Sequence, residues 1–279
     1  MTGNAVKTRK IHRMPYGFGP TPGPRQGPNG DAVDGAHTAQ KFTVATGFLT
    51  KAEHLARLLP PGFVLAGEPV VTVEFHVLSG LNWLAGRGYS MLQVRFPAKF
   101  QGVADEVTGS FLPVLWENLA DPILSGREEL GFAKLWCDLP LPRIYQNRIS
   151  CIASWLSHQF FELEVFDLQD ADNAVPVYPG LGVGKSQGTL HYKYIPDTQN
   201  WGSAALAHAC LSPSGTQVHV ERLRLGHGRV RFLETNWEQM PTQFHIVSAL
   251  AALPQLERRG AWVLETSGGS DLAEQRKLS

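Results

Sequence analysis

The stretch Trp116–Trp136, WENLADPILSGREELGFAKLW, joins the end of a strand to a lone lysine through one short helix. Asp121-Pro122 predicts a helix start, an N-cap followed by proline at the first helical position. Ile123, Leu124 and Leu130 supply the apolar side, and Gly131 stands where a C-terminal cap glycine belongs. Lys134 follows among Leu130, Phe132, Ala133, Leu135 and Trp136, whereas most of the nine lysines have polar or charged neighbours. Desolvation disfavours an ammonium, so the sequence predicts a lowered pKa for Lys134 and a neutral amine fit for Schiff-base chemistry. The competing reading is an amphipathic strand whose lysine snorkels outwards.

Around this stretch the chain reads as strands. Phe42–Leu49, Val70–Leu78, Tyr89–Phe96 and Ser110–Trp116 precede it as short β-branched and aromatic runs bounded by turns. Ser150–Leu156, Phe160–Asp167, Gly188–Ile195, Ala204–Cys210, Thr216–Leu225, Val230–Glu234 and Gly260–Thr266 follow it. His227, between Gly226 and Gly228, reads as a hairpin turn residue. Helix is expected at Thr50–Leu59, opened by a capping box of Thr50 and Glu53 and stopped at Pro60, and again around Thr242–Leu253. Strands not interleaved with long helices exclude a doubly wound sheet. The expectation is a mainly β, β-rich α+β protein: one large antiparallel sheet, closed or nearly closed into a barrel or cone, with a few short helices. Residues 41–279 form this domain. Residues 1–40, with twelve glycines and prolines, are expected to form an extended arm that Tyr16 and Phe18 help to dock, the competing reading being a disordered tail.

Twenty-five basic residues balance twenty-five acidic ones, which argues against a nucleic-acid partner. No apolar run approaches the roughly 18–20 residues of a membrane span. The basic N-terminus has no apolar segment after it, so no secretory signal is read there. Three distant cysteines, Cys137, Cys151 and Cys210, read as reduced thiols of a cytoplasmic protein.

Most standard motifs are missing: no P-loop, no HExxH and no GxSxG. Gly180, Gly182 and Gly184 before Lys185 have the wrong spacing for a phosphate loop, and a strand follows them. His219 and Glu221 share a strand face and His191 lies in another strand, but nothing fixes them together. No metal site is assigned.

The lysine stretch resembles the corresponding motif of the acetoacetate decarboxylase family, in which a Gly-Arg-Glu triplet leads to an aromatic, a proline and the Schiff-base lysine. Here Gly126-Arg127-Glu128 leads to Phe132-Ala133-Lys134. Phe18-Gly-Pro and Gly23-Pro-Arg25-Gln26 resemble the family's N-terminal arm, and Val71-Thr-Val-Glu74-Phe75 its strand with a buried glutamate. The resemblance runs over roughly residues 14–265. It implies a double-layered β-barrel-like cone, a homo-oligomer, and an apolar pocket around the lysine. Acetoacetate decarboxylase is itself a known case of a lysine activated by desolvation or a neighbouring cation.

The resemblance therefore implies Lys134 as nucleophile and Glu74 as acid or base. Lys41, Arg25, Arg127, Glu128 and Phe132 become candidate substrate-binding residues, with Arg127 and Glu128 pairing to hold the helix end. Departures accompany the matches. The second lysine of the family is Leu135, and the proline is Ala133. The second glutamate should fall at Ser90 or Met91, and no Asp or Glu occurs between Glu74 and Asp105. The family's first-strand arginine is Lys41, which lacks the bidentate fork. The expected activity is a Schiff-base lyase acting on a small keto acid, decarboxylase-like, with no cofactor required. Aldol cleavage or dehydration in the same fold, and non-catalytic binding of a small molecule, are the alternatives.

Overall fold

A computed structural model describes residues 14, 17, 26–27, 29–31, 39–171, 186–214, 218–269 and 275–279. The elements run in the order β1 (Gln40–Leu49), α1 (Ala52–Ala56), β2 (Phe63–Leu65), β3 (Val70–Leu81), β4 (Arg87–Gln101), β5 (Glu106–Glu117), α2 (Ala120–Ser125) and β6 (Lys134–Trp136). They continue with β7 (Arg143–Tyr145), β8 (Arg148–Trp155), β9 (His158–Asp170), β10 (Gly188–Pro196), β11 (Ala204–Pro213), β12 (Val218–Phe232), α3 (Phe244–Ala251), β13 (Glu257–Gly268) and β14 (Arg276–Lys277). The fourteen strands among the described residues belong to one sheet, ordered β14-β11-β10-β5-β4-β3-β1-β13-β12-β9-β8-β7, with β2 on β4 and β6 on β5. Pairing is antiparallel except at β5–β10 and β5–β6.

The sheet bends over its main core, and a smaller cluster of Ala45, Leu223, Trp262 and Leu264 lies apart from it. Trp116 of β5 packs on Phe160 of β9 at 5.5 Å and on Phe232 of β12 at 6.4 Å, although these strands are far apart in the path. This gives the expected two layers. The expected closure is not seen among the described residues. The path ends at β7 and β14, strands of three and two residues, too short to complete a ladder. Short edges of this kind also discourage pairing with foreign strands.

Alternation assigns the two faces of β1, β3, β4, β5 and β6. Val44, Val71, Val73, Phe75, Leu92, Val94, Val114 and Trp116 enter the main core, and Leu135 packs against it. The opposite face carries Thr43, Thr72, Glu74, His76, Gln93, Glu117 and Lys134, a run of polar groups that are buried or nearly so.

Several local expectations change. Thr50 does not cap α1: its N–H is held by the Pro69 carbonyl at 3.0 Å, continuing the strand, and its hydroxyl has no hydrogen-bond partner among the described residues. The second helix begins at Ala120 and widens into a π-helical turn, Gly126–Leu130, ended by Gly131 at φ 81°. Its Ncap is Leu119, so Asp121 lies inside the first turn. Residues around His227 form no hairpin, because β12 runs unbroken from Val218 to Phe232. Gly226 and Gly228 serve close packing instead. A Cβ on Gly226 would lie 2.6 Å from the Phe166 carbonyl oxygen, and one on Gly228 2.7 Å from the Thr46 Cβ. Tyr16, Phe18 and Arg25 of the expected arm, and Gly180–Lys185, lie outside the described residues.

Candidate active site

Lys134 opens β6, which pairs in parallel with β5 so that Lys134 stands beside Leu115 and Trp136 beside Glu117. Its side chain is 8% exposed. It does not snorkel. Nζ lies 2.8 Å from Glu117 Oε1 and donates to the Pro122 carbonyl at 3.0 Å. The Phe132 ring centroid is 5.9 Å away. The surroundings are therefore less apolar than the local sequence implied. Strand alternation sends Leu135 to the main core, while a carboxylate and a carbonyl meet the amine. For the same reason Leu135, in place of a second lysine, does not sit against the amine.

The helical turn above the lysine explains the Gly-Arg-Glu triplet. Gly126 has helical φ and ψ, so its backbone does not demand glycine. Space does: a Cβ there would lie 2.5 Å from Lys134 Cδ and 2.6 Å from Nζ. Arg127 donates to the backbone carbonyl of Lys134 at 2.9 Å. The expected Arg127–Glu128 pair is not formed; Glu128 is exposed, and its carbonyl accepts from Lys193 at 2.7 Å. Lys193 also reaches the Glu129 carbonyl, Gln275 the Leu130 carbonyl and His191 the Gly131 carbonyl at 3.1 Å. Four successive carbonyls left over at a helix end are thus satisfied by side chains. His191 stacks on Phe132 with centroids 4.0 Å apart, and burial lowers its imidazole to about 4.

Glu117 has no exposed surface. Its contact with Lys134 is short but poorly aligned as a hydrogen bond, and Oε2 has no hydrogen-bond partner among the described residues. Burial pushes its carboxyl up, with Lys134 acting against it. No sequence motif singles out Glu117. Val114 and Trp116 mark the other face of β5 as core, and a charge on the opposite face ordinarily meets solvent; its burial follows only from the placement of β6 beside β5.

Glu74 faces the same side of the sheet but does not touch Lys134. It lies on β3, three strand spacings or about 14 Å along the sheet from β6. Its Oε2 accepts from Gln93 at 2.5 Å and lies 3.2 Å from Arg95 Nε and 3.7 Å from His76 Nε2. Thr43 and Thr189 extend this network through His76 and Arg95. Burial alone would raise the Glu74 carboxyl. Arg95, His76 and Lys41 overcome it and hold the group well below the usual carboxylate range. Glu74 is therefore a fixed negative charge at neutral pH. Lys41 lies close enough to Glu74 to feel its charge, and burial lowers its ammonium against that attraction.

His219 and Glu221 form an exposed contact at 3.8 Å, while both ring nitrogens of His191 are engaged by Gly131 and Ser212. No group of three or more potential metal ligands occurs among the described residues. The groove at the β7 edge, lined by Arg143, Tyr145, Asn147, Arg148, Phe166 and Asp167, is on the other arm of the sheet from Lys134.

The profile of the acetoacetate decarboxylase (ADC) family matches residues 13–259. The chain belongs to the acetoacetate decarboxylase family. Solved structures agree on the fold. One acetoacetate decarboxylase structure superposes with a TM-score of 0.64 at 16% identity, covering 87% of each chain. The enzyme from Legionella pneumophila gives 0.59 at 16%, covering 91% of this chain and 92% of that one. The enduracididine biosynthesis enzyme MppR, complexed with the condensation product of pyruvate and imidazole 4-carboxaldehyde, gives 0.63 at 15%, covering 88% and 90%. No curated protein matches. Among the described residues, no helix of this family member is long and apolar enough to cross a membrane.

Proposed function

We propose that the protein is a lyase that binds a small keto acid covalently, as an imine on Lys134. The observation that carries this reading is a buried amine, in ion-pair contact with a buried carboxylate, on the polar face of the family fold. The amine adds to the keto carbon and water leaves. The protonated imine then accepts the electron pair of a neighbouring bond. If that bond leads to a carboxylate, CO₂ departs. Phe132 covers one side of the amine, Arg127 fixes its strand, and Glu128 lends its carbonyl to the clamp below. Lys41 is assigned to the substrate carboxylate, and Arg25 joins it on the family resemblance. Glu74 supplies fixed charge to that region.

Aldol-type chemistry is the second reading. It is supported by the missing glutamate at Ser90 and Met91 and by the likeness to MppR, solved with a condensation product. The three free, buried cysteines fit a cytoplasmic protein, and a homo-oligomer is part of the reading on the family resemblance.

Oxygen-18 exchange tests the imine. Each cycle of imine formation and hydrolysis replaces the carbonyl oxygen of the keto acid with oxygen from water. Exchange above background is expected for wild type and is expected to vanish in Lys134→Arg, because a guanidinium stays protonated. Undiminished exchange in the arginine variant would sink the reading.

A further inference from the structure

We infer that Glu117 is the catalytic residue that carries protons to and from Lys134 during imine formation. The inference rests on the Schiff-base reading above. Glu117 is the group placed to do this: Oε1 is 2.8 Å from the reacting nitrogen, and Oε2 is uncommitted among the described residues. Poor alignment at rest is common in catalytic hydrogen bonds before substrate binds. Besides Lys134 on β6, the titratable group near enough to feel its charge is Tyr89 on β4. Burial and Glu117 together push the Tyr89 hydroxyl up, so it stays neutral. Burial likewise favours a protonated Glu117, which eases transfer from the ammonium to the carboxylate. Glu74 is unsuited, being held ionised by Arg95 and three strands away.

The register gives an independent reason. The carboxylate expected at Ser90 or Met91 is missing, and β4 offers no other Asp or Glu. Met91 pairs directly with Glu117 across β4–β5, and directly paired residues point to the same face. The acid has moved one strand, roughly 5 Å, and kept its face.

The step balances with no outside reagent. Glu117 takes one proton from the Lys134 ammonium. The freed amine pair forms the C–N bond while the carbonyl π pair moves to oxygen, which receives that proton. Glu117 then takes a second proton from the nitrogen and gives it to the hydroxyl. The C–O bond breaks, water leaves, and the nitrogen pair completes the C=N bond. Ammonium, ketone and carboxylate have become iminium, water and carboxylate.

The test is the rate of borohydride-trapped adduct formation with pyruvate and acetoacetate in wild type, Glu117→Gln and Glu117→Asp, with folding followed by thermal melts. A proton carrier predicts a fall of about 10²–10⁴-fold in Glu117→Gln and partial recovery in Glu117→Asp. A mere counter-ion predicts the opposite sign, because a buried ammonium without a partner gives up its proton more readily and traps as fast or faster. In Glu117→Ala, added formate is expected to restore part of the rate, and a folded variant it cannot rescue counts against the role. If Glu117→Gln fails to fold, the aspartate variant decides: wild-type rate there, with the carboxylate drawn back by a methylene, overturns the assignment. No adduct in wild type itself overturns the Schiff-base reading and the role of Glu117 with it. An adduct that forms at wild-type rate in Glu117→Gln overturns the role of Glu117 alone.

Discussion

Replacing Gly126 by alanine separates placement of the amine from stability of the fold. The added Cβ would lie 2.5 Å from Lys134 Cδ and 2.6 Å from Nζ, where ordinary contacts need about 3.5–4.0 Å. The obstructing atoms are the end of a flexible side chain, so the lysine gives way and the helix stays. The amine must retreat by about 1 Å, out of its contacts with Glu117 and the Pro122 carbonyl. Overpacking costs about 1–3 kcal/mol, while alanine gains about 1 kcal/mol over glycine in a helix. The net loss is about 0–2 kcal/mol, a fall in Tm of at most several degrees for a chain of this size. A displacement of about 1 Å lowers a positioned reaction by about 10²-fold. The assay is keto-acid trapping by borohydride with intact mass, beside a thermal melt. A Gly126→Ala protein that melts normally and traps at the wild-type rate would refute the reasoning.

Lys134→Met is expected to destabilise by about 3–5 kcal/mol where Glu117 is ionised, and Lys134→Met with Glu117→Gln to recover much of it, as denaturant titration will show. Arg95→Met removes the main charge holding Glu74 down. Stability from Glu74 is present above its unfolded pKa and lost as pH falls through the folded one, so the acid-unfolding midpoint should rise in the variant. His191 has its folded pKa lowered from 6.5 to about 4. Its stabilisation is whole above pH 6.5 and is lost as pH falls towards 4, because the unfolded chain takes a proton that the folded one refuses. About 3 kcal/mol of pH-dependent stability is expected to disappear from that window in His191→Leu.

The layout of strands was legible because their two faces differ. Val71, Val73 and Phe75 alternate with Thr72, Glu74 and His76, and this period of two marks β3 and its core face without further help. β6 was legible only through the competing reading of an amphipathic strand: three residues carry no period, and the parallel pairing with β5 spans a helix. Glycine misled at His227, since the sequence signal for a turn and for close strand packing is the same residue. At the site, the lysine was legible from its motif and its buried state from its neighbours. Its partner was not, because Glu117 meets Lys134 only after β6 lies beside β5. Glu74 was found as a buried carboxylate, but its charge state depends on Arg95 and His76, which only pairing across β3 and β4 brings to it. The four captured carbonyls at residues 128–131 depend on β10 and Gln275 in the same way.

The account stands on Lys134 as the reacting amine, and site mapping of the trapped adduct tests this most directly. Wild-type protein is incubated with a keto acid and borohydride, digested, and sequenced by fragment mass. The account predicts one added group on the peptide containing Lys134: the keto acid with its carbonyl oxygen replaced by the lysine nitrogen and two hydrogens added, or the same group less CO₂ where the carboxylate has departed. No adduct with any α- or β-keto acid, or an adduct carried by Lys41 in place of Lys134, would contradict it.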